Sequence, residues 1–142
     1  MPVYDLAKFS PLLRLWFELA IVGVLERDPS SNYPHFWLIA DDLASLGKLP
    51  SLEILLAQTR KYKASLVASY QISAQLEDIY GRAGAEVIFD SFYNKIHFRS
   101  ACPDAAFELG LPISEVQTLP DLQAYLTLCN FAPTRIQFDV FS

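Results

Sequence analysis

Phe36-Trp37-Leu38-Ile39-Ala40-Asp41-Asp42 is an unbroken apolar run that stops on two carboxylates. It is too short for a helix and has no polar alternation, so it reads as a strand buried on both faces, as strands of parallel sheets do. The acids then stand at its carboxyl end. In open α/β sheets ligands bind outside the carboxyl ends of the strands, which puts Asp41 and Asp42 where a Mg²⁺-nucleotide is held, in the form of a Walker B strand. Ordinary turn chemistry is the competing reading, because Asp-Asp at a loop start also caps and turns backbone.

Upstream of this run, Ser10-Pro11 predicts a helix start, with a serine oxygen to cap free amides and a proline tolerated in the first turn. The helix runs to about Glu26. Leu12, Leu13, Leu15, Trp16, Leu19, Ala20 and Val22 make most of its circumference apolar, and Arg14 and Glu18 are spaced as an i,i+4 pair. Trp16 and Trp37 are expected in the core.

Downstream, Leu49-Pro50-Ser51 starts a second helix that closes on Arg60-Lys61-Tyr62-Lys63, a basic cluster suited to the negative end of a helix dipole. Ala64 to Tyr70 reads as a second strand, with Gln71 at its carboxyl end as Asp41 is at the first. Helices follow over Ile72 to Tyr80, stopped by Gly81, and over Arg82 to Tyr93. Lys95 to Arg99 alternates and reads as a third strand. Strand, helix, strand, helix, strand implies right-handed crossovers and a parallel sheet. Past Ala101 there is a turn or two of helix over Asp104 to Leu109. Gln123 to Cys129 and Thr134 to Phe141 then form a C-terminal antiparallel hairpin around a turn at Asn130 to Pro133. The reading is α/β, one domain over 1–142.

The chain has 142 residues, 52% of them apolar, which is enough for a built core and excludes a disordered segment. A net charge of −5 and a pI near 4.9 exclude a molecule that traps DNA by overall charge, so any nucleic-acid contact is local. Cys102 and Cys129 have no Cys-x-x-Cys spacing, and His35 and His97 are far apart, which argues against zinc and fits a reducing cytosol. Leu12 to Leu25 is too short to span a membrane and carries charge, and the start of the chain has no signal-peptide pattern. A cytoplasmic location is expected.

Residues then decide more than patterns. The run from Phe36 through Leu43-Ala44-Ser45-Leu46-Gly47-Lys48-Leu49-Pro50-Ser51-Leu52-Glu53 resembles the Walker B region of TraD-type coupling proteins of conjugative type IV secretion. Arg60-Lys61-Tyr62, Ser69-Tyr70-Gln71-Ile72-Ser73-Ala74-Gln75-Leu76-Glu77-Asp78-Ile79-Tyr80-Gly81, Phe89-Asp90, Asn94 to Ser100 and Leu119-Pro120-Asp121-Leu122 follow in that family's order. Together these blocks cover most of the chain.

The resemblance implies a partial RecA-like three-layer fold, a mostly parallel sheet flanked by helices, and an ATP-hydrolysing, DNA-translocating motor. Such motors are hexamers at the inner membrane that pass single-stranded DNA with its relaxase toward the secretion channel. By position, Asp41 orients Mg²⁺ through water, and Asp42 stands where the family usually has a glutamate that positions the attacking water. Aspartate is one methylene shorter, which counts against hydrolysis. Gln71 matches the residue that senses the γ-phosphate. Arg60 and Arg99 match arginines of that family's blocks and are the candidates for stabilising phosphate charge across subunits.

Two departures stand out. No Gly-x-x-x-x-Gly-Lys-Ser/Thr occurs, so the loop that cradles the β- and γ-phosphates of ATP is absent. The family's transmembrane part is absent as well, and the interval from Ser100 to Leu119 is shorter than its counterpart. The expectation is the carboxyl half of a motor domain, a remnant, split subunit or shortened chain, that is not active alone. A non-catalytic module that docks other coupling-protein subunits is the alternative.

Overall fold

The computed structural model describes residues 3–129 and 131–139. They divide into two compact units, one up to Ser91 and one from Phe92 onward. The architecture is α/β, as expected.

In the first unit, α1 (Val3–Leu25) leads to β1 (Phe36–Ala40), a 3-10 turn (Leu43–Leu46), α2 (Leu52–Gln58), β2 (Ala64–Ala68) and α3 (Ser73–Ser91). β1 and β2 pair in parallel, Phe36 beside Ala64 through Ala40 beside Ala68. The expected helix start at Ser10-Pro11 is displaced, with Pro11 inside α1. Leu6, Ala7 and Lys8 are strong helix formers and carry the helix upstream at the cost of one missing amide bond. Instead of capping, the Ser10 hydroxyl donates to the Ser45 carbonyl at 3.1 Å. Glu18 accepts the Ser51 amide at 3.0 Å, so its carboxylate fixes the start of α2 rather than pairing with Arg14.

α3 joins the two helices expected on either side of Gly81, whose φ of 75° and ψ of 162° break the helical path. A Cβ at Gly81 would meet nothing within 4 Å, so it is the dihedral and not space that favours glycine there.

The core of this unit is Ile21 and Val24 of α1, Leu38 and Ala40 of β1, Leu52 and Leu55 of α2, and Leu76, Ala85 and Ile88 of α3. Leu38 and Ala40 bring one face of the two-stranded sheet into it. The opposite face is bare: Trp37 is 60% exposed, Ile39 67% and Val67 48%. The expectation of a strand buried on both faces therefore fails, and Trp16, 68% exposed, is not core either. The physical reason is the same for both tryptophans. The apolar pattern is that of a sheet and helix covered on two sides, and the elements described here cover one.

The second unit holds β3 (Asn94–Phe98), α4 (Pro103–Leu109), α5 (Ile113–Gln117), β4 (Gln123–Leu128) and β5 (Thr134–Gln137). Gly110 closes α4 in the left-handed conformation, φ 64°, and its amide returns to Ala106 and Phe107. The hairpin forms as expected, but β3 joins it: β3 pairs antiparallel with β4, Ile96 beside Leu126, and lies outside the parallel sheet. Alternation identifies a strand without identifying its partner, which is why the third strand was assigned to the wrong sheet. Asn130, Val140 and Phe141 lie outside the described residues.

The core here is Ala106, Leu109, Val116, Leu119 and Tyr125. Tyr125 donates its hydroxyl to Glu115 at 2.6 Å. Lys95 and His97 face inward toward Glu108, at 3.1 and 3.6 Å, while Ile96 and Phe98 face out. Burial outweighs the Glu108 charge and holds the His97 pKa below its ordinary value. Cys102 and Cys129 are free thiols. No helix among the described residues is long and apolar enough to cross a membrane.

Candidate functional site

Because β1 and β2 run parallel and in register, their carboxyl ends form one rim. Three of the residues singled out from sequence, Asp41, Asp42 and Gln71, lie on the segments leaving it. What fixes the two aspartates is a residue the sequence reading passed over, Ser69. Its amide donates to the Ala40 carbonyl at 3.0 Å and its carbonyl accepts the Leu43 amide at 2.8 Å, so the backbones stay tied one step beyond the ladder. Its hydroxyl donates to Asp41 Oδ1 at 2.7 Å and accepts the Asp42 amide at 2.8 Å. A hydroxyl at the end of the strand beside an acid-terminated strand was the available signal.

Asp42 sits in the left-handed region, φ 56°, where aspartate is tolerated better than most residues. Its carbonyl accepts both the amide and the hydroxyl of Ser45, at 3.0 and 2.8 Å. The loop that follows is pinned from below by Leu43, Leu46 and Leu49, all buried. Each fully buried leucine of this kind is worth about 1.5–3 kcal/mol. Tyr80 of α3 completes the clamp, its hydroxyl accepting the Leu49 amide at 3.1 Å and facing the Gly47 carbonyl at 3.4 Å. Burial pushes the Tyr80 phenol above its ordinary pKa, so it stays a neutral hydroxyl.

Asp41 is exposed at the rim and Ser69 engages its Oδ1; hard cations such as Mg²⁺ take carboxylate oxygens, but among the described residues no group of three or more His, Cys, Asp or Glu comes together that could hold a metal. Gln71 is exposed two residues after Ser69, before α3 begins.

The two arginines are elsewhere. Arg60 is exposed in the turn between α2 and β2, at the amino end of β2 and so at the opposite end of the sheet from Asp41. Helix α2 ends at Gln58, and Arg60, Lys61 and Lys63 therefore lie beyond it and do not cap its last turn. Arg99 belongs to the second unit, where its guanidinium pairs with Asp121 at 2.9 Å and reaches the Leu119 carbonyl at 3.5 Å.

The family described as type IV secretion-system coupling protein DNA-binding domain matches residues 4–111 of the chain. Coupling protein TraD of Escherichia coli (strain K12) is 34% identical over 119 residues, which is 84% of this chain and 16% of TraD. The conjugative coupling protein TrwBΔN70, in its unbound monoclinic form, superposes with a TM-score of 0.86 at 25% identity, over 98% of this chain and 39% of that one. TrwB in complex with ADP and Mg²⁺ gives 0.80 at 26% identity, over 95% and 38%. These likenesses support the partial RecA-like fold, and the chain spans well under half the length of each relative.

Proposed function

The chain belongs to the type IV secretion-system coupling protein family, and we propose that it supplies the carboxylate side of the nucleotide site in a DNA-translocating ATPase, with residues 1–142 forming part of one RecA-like motor domain. The observation that carries this reading is the Ser69 hub, which holds Asp41 and Asp42 together on the rim from which Gln71 also leaves. With Mg-ATP bound, Asp41 would hold the Mg²⁺, Asp42 would stand where the attacking water is oriented, one methylene shorter than the family's glutamate, and Gln71 would meet the γ-phosphate. When bound, Mg-ATP supplies the phosphoryl group whose transfer drives translocation. TrwB has been solved with ADP and Mg²⁺ and with a non-hydrolysable ATP analogue, which supports that class of ligand.

Arg60 and Arg99 act on a neighbouring subunit's phosphates. The distance of Arg60 from the Asp41 rim suits a contribution made across a subunit boundary better than one made within a subunit. The partners are then other coupling-protein subunits, a relaxase and single-stranded DNA, at the cytoplasmic face of the inner membrane. Residues 1–142 contain no phosphate-cradling loop, and the β- and γ-phosphates are to be met by a P-loop outside them.

Calorimetry with Mg-ATP tests this. The chain alone is expected to bind weakly, and a P-loop-bearing coupling-protein fragment to restore binding that Asp41→Ala removes. Tight binding by the lone chain, lost in Asp41→Ala, refutes the need for a partner. A restored affinity indifferent to Asp41→Ala refutes the site itself.

The bare sheet face of Trp37, Ile39 and Val67 favours one second reading, a non-catalytic module that docks other subunits. In that case the P-loop fragment binds the chain without any gain in nucleotide affinity.

A further inference from the structure

We infer that Tyr80 is a positioning residue for Asp42: its phenolic hydroxyl completes the loop that carries Asp42 and ties that loop to the helix that follows Gln71. The inference rests on the reading that Asp42 faces the attacking water, and it names what in α3 holds Asp42 in place.

The loop leaving Asp42 is a run of turns with one bond missing. The Asp42 carbonyl accepts the Ser45 amide at 3.0 Å, the Ala44 carbonyl accepts the Gly47 amide at 3.1 Å, and the Leu49 carbonyl accepts the Leu52 amide at 3.1 Å. Backbone bonds therefore carry the path from Asp42 to Gly47 and from Leu49 into α2, and among the described residues none joins Gly47 to Leu49. The Tyr80 hydroxyl fills that gap. It accepts the Leu49 amide at 3.1 Å and donates a long bond, 3.4 Å, to the Gly47 carbonyl. A side chain of α3 thus stands in for a turn bond and meets a buried amide that would otherwise go unpaired.

The gap falls where the backbone is least at ease. Gly47 has φ 69° and ψ −163°, a region essentially confined to glycine and kept only where the surroundings enforce it. A Cβ there would come no closer than 3.8 Å to Arg14 Nη1, so the dihedrals and not space select glycine. Asp42, at the start of the same run, is left-handed as well, φ 56°. The run is held from three sides, by the Ser69 hydroxyl at the Asp42 amide, by the Ser10 hydroxyl of α1 at the Ser45 carbonyl, and by Tyr80. Of the three only Tyr80 is buried, so its bonds are the ones water cannot replace. Burial first, and the charges of Glu18 and Glu53 after it, raise the phenol's pKa, and the hydroxyl keeps the proton it donates.

The same residue joins the loop to the far strand. Gln71 stands two residues before α3, and Leu76, fully buried, lies one turn before Tyr80 on the same helix face. Gly81 then breaks the helical path. Residues 73–80 form a strut of about two turns, with Gln71 just ahead of one end and the Tyr80 hydroxyl at the other.

The test uses Tyr80→Phe in the full chain, which removes one oxygen and keeps the ring in the core, read by hydrogen exchange at single amides without nucleotide. The Leu49 amide loses its acceptor and is expected to exchange about tenfold faster or more. A purely local bond predicts that much. Positioning predicts in addition that the Ser45 and Asp42 amides, whose acceptors are elsewhere, exchange at least about threefold faster, while the Ser69 amide, bonded to Ala40 on the same rim, changes less than about twofold. Asp42 and Ser45 within about twofold of wild type overturn the proposal, and so does an equal rise at Asp42, Ser45 and Ser69, which marks general loosening. Gly47→Ala, with Tyr80 intact, is expected to reproduce the rise at Asp42 and Ser45. Combined with Tyr80→Phe it should add less than about twofold, because both act on one link; effects that multiply overturn that link. In the assembly with a P-loop-bearing fragment, Tyr80→Phe is expected to leave Mg-ATP affinity within about twofold and to lower turnover about tenfold or more. Affinity lost with turnover intact overturns the assignment to Asp42. A wild-type assembly that binds Mg-ATP without turning it over refutes the proposed part of Asp42 in the reaction, and exchange at Asp42 still decides whether Tyr80 holds it.

Discussion

Replacing Ser69 by alanine isolates the hub of the Asp41 rim. The change deletes one hydroxyl and with it two hydrogen bonds, to Asp41 Oδ1 at 2.7 Å and from the Asp42 amide at 2.8 Å. A bond to a charged group is worth about 1.5–3 kcal/mol and a neutral one about 0.5–1.5 kcal/mol, but Asp41 and Ser69 are exposed and water takes over much of the first. About 1–2 kcal/mol remains, acting on an aspartate already held in the left-handed region at some cost. The assay is hydrogen exchange at single amides. The Asp42 amide loses its acceptor, and its protection is expected to fall about tenfold, the equivalent of about 1.4 kcal/mol. The Leu43 amide, which donates to the Ser69 carbonyl rather than the hydroxyl, keeps its partner and serves as internal control. Ser69→Thr retains the hydroxyl and is expected to restore Asp42. If Asp42 exchanges equally in wild type and Ser69→Ala, the hydroxyl does not organise the rim and the site argument fails.

Three further outcomes follow from other contacts. Tyr80→Phe leaves the buried Leu49 amide without its acceptor and should cost about 1–2 kcal/mol in urea unfolding of the first unit, and an unchanged midpoint would show that the clamp does not hold the loop. His97 has a folded pKa below 6.5 because it is buried, so the unfolded chain takes up its proton first; the second unit is at full strength above pH 6.5 and weakens as pH falls through the folded value, a slope that His97→Gln should flatten in exchange measured across β3 and β4. The bare face of Trp37, Ile39 and Val67 should drive self-association in sedimentation velocity, relieved by Ile39→Lys, and a monodisperse wild-type monomer would count against it.

The parts of the fold legible in sequence were those set by local chemistry. The acid-terminated run became β1, Gly81 interrupts α3 because its dihedrals demand it, and Gly110 closes α4. What sequence could not convey was partnership. The alternation of Lys95 to Arg99 is compatible with either sheet, and in the event its polar members turn inward because Glu108 is there to meet them. Burial of Trp37 was misread for a related reason: an apolar residue records an environment without saying which chain provides it. At the site, the acids were visible as charges at a strand end, whereas Ser69 was one serine among many until β2 was placed beside β1.

The exposure of both tryptophans gives the protein a built-in optical reporter. The sequence has two tryptophans, Trp16 and Trp37, and each is more than half exposed, so the intrinsic emission comes from indoles in contact with water. Any polypeptide that settles on the uncovered side of β1 must move Trp37 into an apolar environment and shift that emission to the blue. A Trp16→Phe background leaves Trp37 as the single emitter, and its colour then reads directly, without any attached dye, whether this sheet has found the layer its sequence was written for.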